Sequence, residues 1–185
     1  MQDLRNMNLL LYGYKKSGKS YYGLKVADKM HMNFIDTDLL VQDLYTKKHH
    51  KTLTCKEIVL HHGRQAFKDL EKEVIFSLDD IENTVIALGG ATILDEKNVL
   101  HLKKIGSLVY LKTDKKTLME RILRGELPSY IDPENPIKSF EKMYEERLSI
   151  YEHLGSLIID TSHKTEEQVT KLLCEHVHTL RGFNG

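Results

Sequence analysis

Two kinds of hydrophobic pattern alternate along the chain. Short, near-continuous apolar runs occur at "NLLLYG" (8–13), "NFID" (33–36), "TVIALGG" (84–90), "SLVYLKT" (107–113) and "SLIIDT" (156–161). Strands covered by helices on both sides read this way, because neither face meets water. Between the runs, apolar residues recur at helical spacing over 18–30, then 38–46, 54–62 and 64–79, then 94–104, 114–124, 137–153 and 165–180. Thr165 with Gln168 makes a capping box for the last helix, and Asp114 caps the helix near 115. Strand alternating with helix predicts an α/β fold, a parallel sheet flanked by helices with right-handed crossovers. One stretch breaks the rhythm. "RGELPSYIDPENP" (124–136) holds all three prolines of the chain and has little core-forming pattern. It reads either as a lid or binding loop, or as a plain surface connection.

Composition narrows the setting. A chain of 185 residues suits one domain with one good core. Lys and Arg number 27 and so do Asp and Glu, so no net field draws the chain to nucleic acid or an anionic membrane. No apolar run approaches the roughly 20 residues of a membrane span. The opening "MQDLRNMNLLLYGYKK" has too short an apolar stretch for a signal peptide and no small-residue cleavage site. A cytoplasmic monomer is expected. Cys55 and Cys174 both fall in helix-like stretches, which favours two reduced thiols over a disulfide. His49/His50 and His61/His62 are adjacent, and His176/His178 are two apart. None of these pairs shares a helix face, which argues against a histidine metal site.

The chemistry begins at Gly13-Tyr14-Lys15-Lys16-Ser17-Gly18-Lys19-Ser20, which fits the phosphate-loop pattern at every specified position. The glycines let the backbone turn and approach phosphate oxygens. Successive amides of Lys15, Lys16, Ser17 and Gly18 can then point inward as an anion nest, reinforced by the start of the next helix. Lys19 offers a point charge to the outer phosphates, and the Ser20 hydroxyl can ligate Mg²⁺. Tyr21 follows directly and is assigned to the same nucleotide site. The competing reading, a glycine-rich turn with surface lysines, leaves Lys19 and Ser20 unexplained.

"NFIDTDLL" places Asp36 and Asp38 at the end of the second strand, where two residues of extended chain project to one side. The carboxyl end of a strand faces the ligand crevice of open α/β sheets. One carboxylate can hold Mg²⁺ through water while the other orients or deprotonates an acceptor hydroxyl; equally, Asp38 can simply cap the following helix. No Asp ends the third strand, so Asp36 is the better metal candidate. That strand runs instead into Gly89-Gly90-Ala91, which either lets backbone approach a ligand or makes a tight turn.

Together these pieces resemble the shikimate kinase family. The correspondence runs from about residue 8 to 178 through "GYKKSGKS", "FIDTD", "GRQAFKDLE", "ALGGA", "ELPSY" and "ERLSIYEHLGSLIIDT". The resemblance implies a single kinase domain over 1–185 with a five-stranded parallel sheet of order 2-3-1-4-5. It also implies a substrate-binding helical insert near 37–80 and a mobile lid near 124–136. The activity implied is transfer of the γ-phosphoryl of ATP to the 3-hydroxyl of shikimate, with Mg²⁺. By position, Lys19, Asp36 and Asp38 are catalytic, with Asp36 and Ser20 at the metal and Asp38 at the acceptor hydroxyls. Gly89 and Gly90 line the acceptor site, Arg147 in "RLSIY" pairs with the acceptor carboxylate, and Arg121 lies on the adenine side.

Three positions depart from the family. Lys68 stands where an arginine is usual, Leu127 replaces a lid arginine, and Ala91 replaces the third glycine. Lysine offers a point charge where arginine offers a bidentate fork. Arg64 is four residues before Lys68 on one predicted helix face and is a candidate to compensate; Arg124 is the corresponding candidate for the lid. The departures keep other readings in view: a kinase of another small hydroxy acid such as gluconate, a nucleotide-binding regulatory protein without turnover, or a nucleoside monophosphate kinase.

Overall fold

The computed structural model describes residues 8–182, so residues 1–7 of the opening stretch, read above for a leader pattern, lie outside it. The elements run β1 (Asn8–Tyr12), α1 (Lys19–Met30), β2 (Asn33–Asp36), α2 (Thr37–His49), α3 (Cys55–Phe76), β3 (Thr84–Ala87), α4 (Glu96–Ile105), β4 (Gly106–Lys112), α5 (Lys115–Leu123), α6 (Pro136–Leu154), β5 (Leu157–Asp160) and α7 (Glu166–Leu180). The five strands form one parallel sheet in the order β2-β3-β1-β4-β5, with Leu10 of β1 in register with Ile86 and Leu108.

The continuous apolar runs of β1, β3 and β4 have the predicted cause, whereas the edge strands β2 and β5 are only partly buried and depart from it. Leu9 and Leu11 enter one core with Val26, Val109 and Val169, while Leu10 and Tyr12 enter another with Ile86, Tyr110 and Tyr151. Leu9, Leu10 and Leu11 have no exposed surface. Each contributes about 1.5–3 kcal/mol by burial, which is why a polar alternation would not serve. Asn8 fixes the start of this strand. Its side-chain amide donates to the Ile81 and Ile105 carbonyls at 2.5 and 2.9 Å and accepts from the Thr84 amide at 3.0 Å.

The two helices predicted over 54–62 and 64–79 meet at Gly63, whose φ of 83° and ψ of 167° break the helical path inside α3. Thr54 and Glu57 cap its start reciprocally. With α2, this segment has a small core of its own around Val41, Tyr45, Ile58, Leu70 and Val74. The Asp114 cap and the Thr165–Gln168 capping box are both present. Three local expectations need correction. β3 ends at Ala87, since the chain leaves the sheet after the Leu88 amide bonds the Leu11 carbonyl at 2.9 Å. The helix expected from 94 begins at Glu96, because Asp95 caps it, and a 3₁₀ turn spans Thr92–Leu94. The 124–136 stretch is less bare than its sequence suggests: Ile131 is buried, and Leu127 and Tyr130 pack on the main core. Both cysteines are free, and among the described residues no helix is long and apolar enough to cross a membrane.

Candidate active site

The site starts where β1 stops. Gly13 has φ 152°, and a Cβ there would come within 2.7 Å of the Leu111 carbonyl oxygen, so the first loop position admits only glycine. Lys16 at φ 70° and Gly18 at φ 96° are both left-handed, which curls the loop in the manner of an anion nest. No side chain caps the start of α1. Its first amides are therefore left for a ligand. Lys19 is buried, and its Nζ donates to the Gly13 and Tyr14 carbonyls at 3.0 and 2.9 Å. Burial pushes its ammonium down to about 8, against the opposing pull of Asp38 and Asp36. A desolvated cation held by two carbonyls is poised for a stronger anionic partner.

The carboxylates do not sit as an extended strand would place them. β2 ends at Asp36, and α2 begins at Thr37, so Asp38 lies in the first helical turn. The helix cap is Asp36, not Asp38: its Oδ1 accepts from the Asp38 amide at 3.0 Å. The other oxygen of Asp36, Oδ2, accepts from the Ser20 hydroxyl at 2.6 Å. Asp38 turns into the crevice, where burial and then Asp36 push its carboxyl above the usual range, with Lys19 and Lys15 opposing. The expected pairing therefore arises from a strand-to-helix corner, with one carboxylate against Ser20 and the other facing the opposite wall.

That wall is assembled from distant segments. Arg64, Lys68 and Glu71 stand on one face of α3 after Gly63, and all three line the cavity. Glu71 is almost fully buried and accepts from the Thr92 hydroxyl at 2.6 Å; burial pushes it up to about 7. Its three-residue spacing from Lys68 was the available signal in the sequence. Gly90 lines the cavity, but Gly89 does not: it lies behind Asp38, where an added Cβ would meet Asp38 Oδ1 at 2.7 Å, Thr92 Oγ1 at 2.9 Å and Glu71 Oε1 at 3.0 Å. Its amide donates to the Thr37 hydroxyl at 2.9 Å. Arg147 of α6 reaches in from the far side, its guanidinium 4.9 Å from the Tyr130 ring centre.

One cavity of about 580 Å³ joins Lys15, Lys16, Lys19 and Ser20 to Asp38, Lys68 and Arg147. Seven Lys and Arg line it against four Asp and Glu, so a neutral chain has a cationic site suited to a polyanion. A second cavity of about 480 Å³, on the outer side of the loop, is lined by Lys16, Gly18, Tyr21, Tyr22, Arg121 and Arg124. Arg121 donates to the Lys16 carbonyl at 3.1 Å, which ties it to the loop. Tyr21 borders both cavities, held by a hydrogen bond to Glu166. Arg124 lies on this outer side and pairs with Glu120 at 3.6 Å, away from Lys68 and Arg147.

The donor set beside Lys19 consists of the hard oxygens of Ser20 and Asp36, which suit Mg²⁺. Among the described residues no cluster of three His, Cys, Asp or Glu could hold a metal unaided. Mg²⁺ bound by one or two protein oxygens and completed by phosphates fits that arrangement.

Comparison with known proteins identifies the family. The shikimate kinase family model matches residues 15–178. A shikimate kinase of Caldanaerobacter subterraneus subsp. tengcongensis is 32% identical over 175 residues, covering 95% of this chain and 98% of that protein. One from Clostridium botulinum is 35% identical over 158 residues, covering 85% of this chain and 89% of that protein. The solved structure of the Acinetobacter baumannii shikimate kinase in complex with shikimate superposes with a TM-score of 0.82 at 23% identity, covering 94% of each chain, and so supports the fold. With the phosphate loop, the parallel sheet and these matches over most of its length, the chain belongs to the shikimate kinase family.

Proposed function

We propose that this chain transfers the γ-phosphoryl group of ATP to the 3-hydroxyl of shikimate, with Mg²⁺. The observation that carries the reading is the single cavity in which the phosphate loop faces Asp38, Lys68 and Arg147. Family membership favours shikimate over gluconate as acceptor. The convergence of Lys19, Ser20, Asp36, Asp38 and Arg147 favours turnover over a purely regulatory role.

In this reading the loop amides and Lys19 hold the phosphates, with Tyr21 and Arg121 on the base side. Ser20 and Asp36 would hold Mg²⁺, which would supply positive charge to offset the phosphate oxygens. Arg147 pairs with the acceptor carboxylate, assisted by Lys68 and Arg64, and Gly90 gives the ring room. Asp38 orients the 3-hydroxyl and takes its proton as the new O–P bond forms and the bond to the ADP oxygen breaks. Its raised proton affinity suits that task. Positioning in this manner lowers a barrier by several kcal/mol, on the order of the effective-molarity effect. The whole chain acts as one domain, with 37–80 as the acceptor-binding insert and 124–136 as the lid. The Lys56–Glu126 ion pair at 2.8 Å, which joins the insert to the lid, supports that division. A closed lid excludes water that would otherwise hydrolyse ATP. A cytoplasmic monomer completes the reading: two free thiols suit a reducing compartment, and one chain supplies every wall of the cavity.

A coupled assay with Mg-ATP tests the function directly. ADP release should require shikimate and not respond to gluconate; ADP release with gluconate alone would replace the acceptor. Arg64→Ala should raise the shikimate KM several-fold, and an unchanged value would discard its part. Arg124→Ala tests the lid substitution, and unaltered kcat and KM for both substrates would remove it from the mechanism.

A further inference from the structure

Behind the phosphate loop lies a cluster of tyrosines whose hydroxyls do more than fill space. Tyr12, Tyr14, Tyr110 and Tyr151 are all almost fully buried. The Tyr151 ring lies 4.5 Å from Tyr14, 5.6 Å from Tyr110 and 6.0 Å from Tyr12, centre to centre. The Tyr12 hydroxyl donates to the Tyr151 carbonyl at 2.7 Å. Ring and backbone of Tyr151 are thus clamped from several sides. Its hydroxyl, by contrast, points to the acceptor site: it donates to the carbonyl of Gly90. Arg147 stands one turn earlier on α6, four residues before Tyr151, so the two side chains share one helix face. A guanidinium on a long flexible stem loses much conformational freedom when it must meet a carboxylate, so a fixed partner lowers the cost of binding.

We propose that Tyr151 is a positioning residue for the acceptor carboxylate: its hydroxyl joins the Arg147 guanidinium and the Gly90 carbonyl into one pre-set wall of the acceptor cavity. Tyr130 holds the same guanidinium from the 124–136 segment, through its ring face. The proposal rests on the reading of the cavity as a shikimate site with Arg147 at the carboxylate.

The test is Tyr151→Phe, which keeps the ring in a cluster that is already aromatic. Steady-state kinetics are measured with ATP and shikimate varied in turn, and repeated with the methyl ester of shikimate, which lacks the carboxylate charge. Shikimate KM should rise about tenfold, with kcat within about threefold and ATP KM within about twofold. The ester should be used equally well by the variant and the parent. Tyr110→Phe is the control, because the Tyr110 hydroxyl is buried without a hydrogen-bond partner. It should leave every constant unchanged. An unchanged shikimate KM in Tyr151→Phe would overturn the proposal. So would an equal loss for shikimate, ester and ATP, which would mark general loosening of the fold. A parent enzyme that leaves shikimate unphosphorylated would overturn the functional reading and this proposal with it, and the parent assay alone identifies that case.

Discussion

The two ends of the cavity are built in opposite ways. The phosphate-holding end comes from one unbroken stretch: β1, the loop from Gly13 to Gly18, and the first turn of α1. The acceptor end is gathered from α2, α3, the turn after β3, the 124–136 segment and α6, which supply Asp38, Lys68, Gly90, Tyr130 and Arg147. A contiguous site is held by local backbone geometry and is hard to alter by degrees. A gathered site depends on how helices pack, so single side chains in it can be exchanged one at a time. Damage at the first end should therefore fall on turnover as a whole, and damage at the second on the acceptor selectively.

The largest effect is expected from Lys19→Ala. Loss of the one buried cation in the loop should lower kcat by roughly 10³-fold, the scale of removing a fixed charge partner from a transition state. Circular dichroism should show an intact fold, and near-normal turnover would break the comparison at its first end. pH gives the next effect. Lys19 is pushed down to about 8, and a bound triphosphate favours its charged form. Nucleotide affinity is then complete below about pH 8 and is lost as pH rises through it, about tenfold between pH 7 and pH 9. Calorimetric titration of ADP at the two values checks this, and equal affinities would count against it. A comparable but more selective effect is expected from Gly89→Ala. The methyl must displace the Asp38 carboxylate or the Thr92–Glu71 pair. Turnover should fall about tenfold with a loss of about 1 kcal/mol in stability. ADP affinity should be unmoved, and a drop in ADP affinity equal to the drop in turnover would blur the distinction between the two ends.

The same contrast explains what could be read from the sequence. The three central strands were legible because burial on both faces leaves an unbroken apolar signature, as at Leu9–Leu11. The phosphate loop was legible because its residues are neighbours in sequence and in space. Asp36 and Asp38 were found, but their geometry was not, since the switch from strand to helix between them is set by Asp36 turning its carboxylate back on the Asp38 amide. Glu71 and Tyr130 were missed as cavity-lining residues because long-range packing brings them there. Histidines make the same point: His49 of α2 and His62 of α3 stack at 5.9 Å, a pairing across helices that spacing along one helix cannot reveal. Gly89 was expected to line the acceptor site and instead makes room for Asp38, a distinction only the side chains around it disclose.

The central claim is that one cavity brings a nucleotide held at Lys19 to a hydroxyl held at Asp38. Asp38→Asn tests it most directly, by measuring binding of ADP and of shikimate alongside turnover in the same preparation. The account predicts both dissociation constants within about threefold of the parent and a fall in kcat of at least about a hundredfold, the range of a lost general base. Retained kcat with either affinity reduced would contradict it.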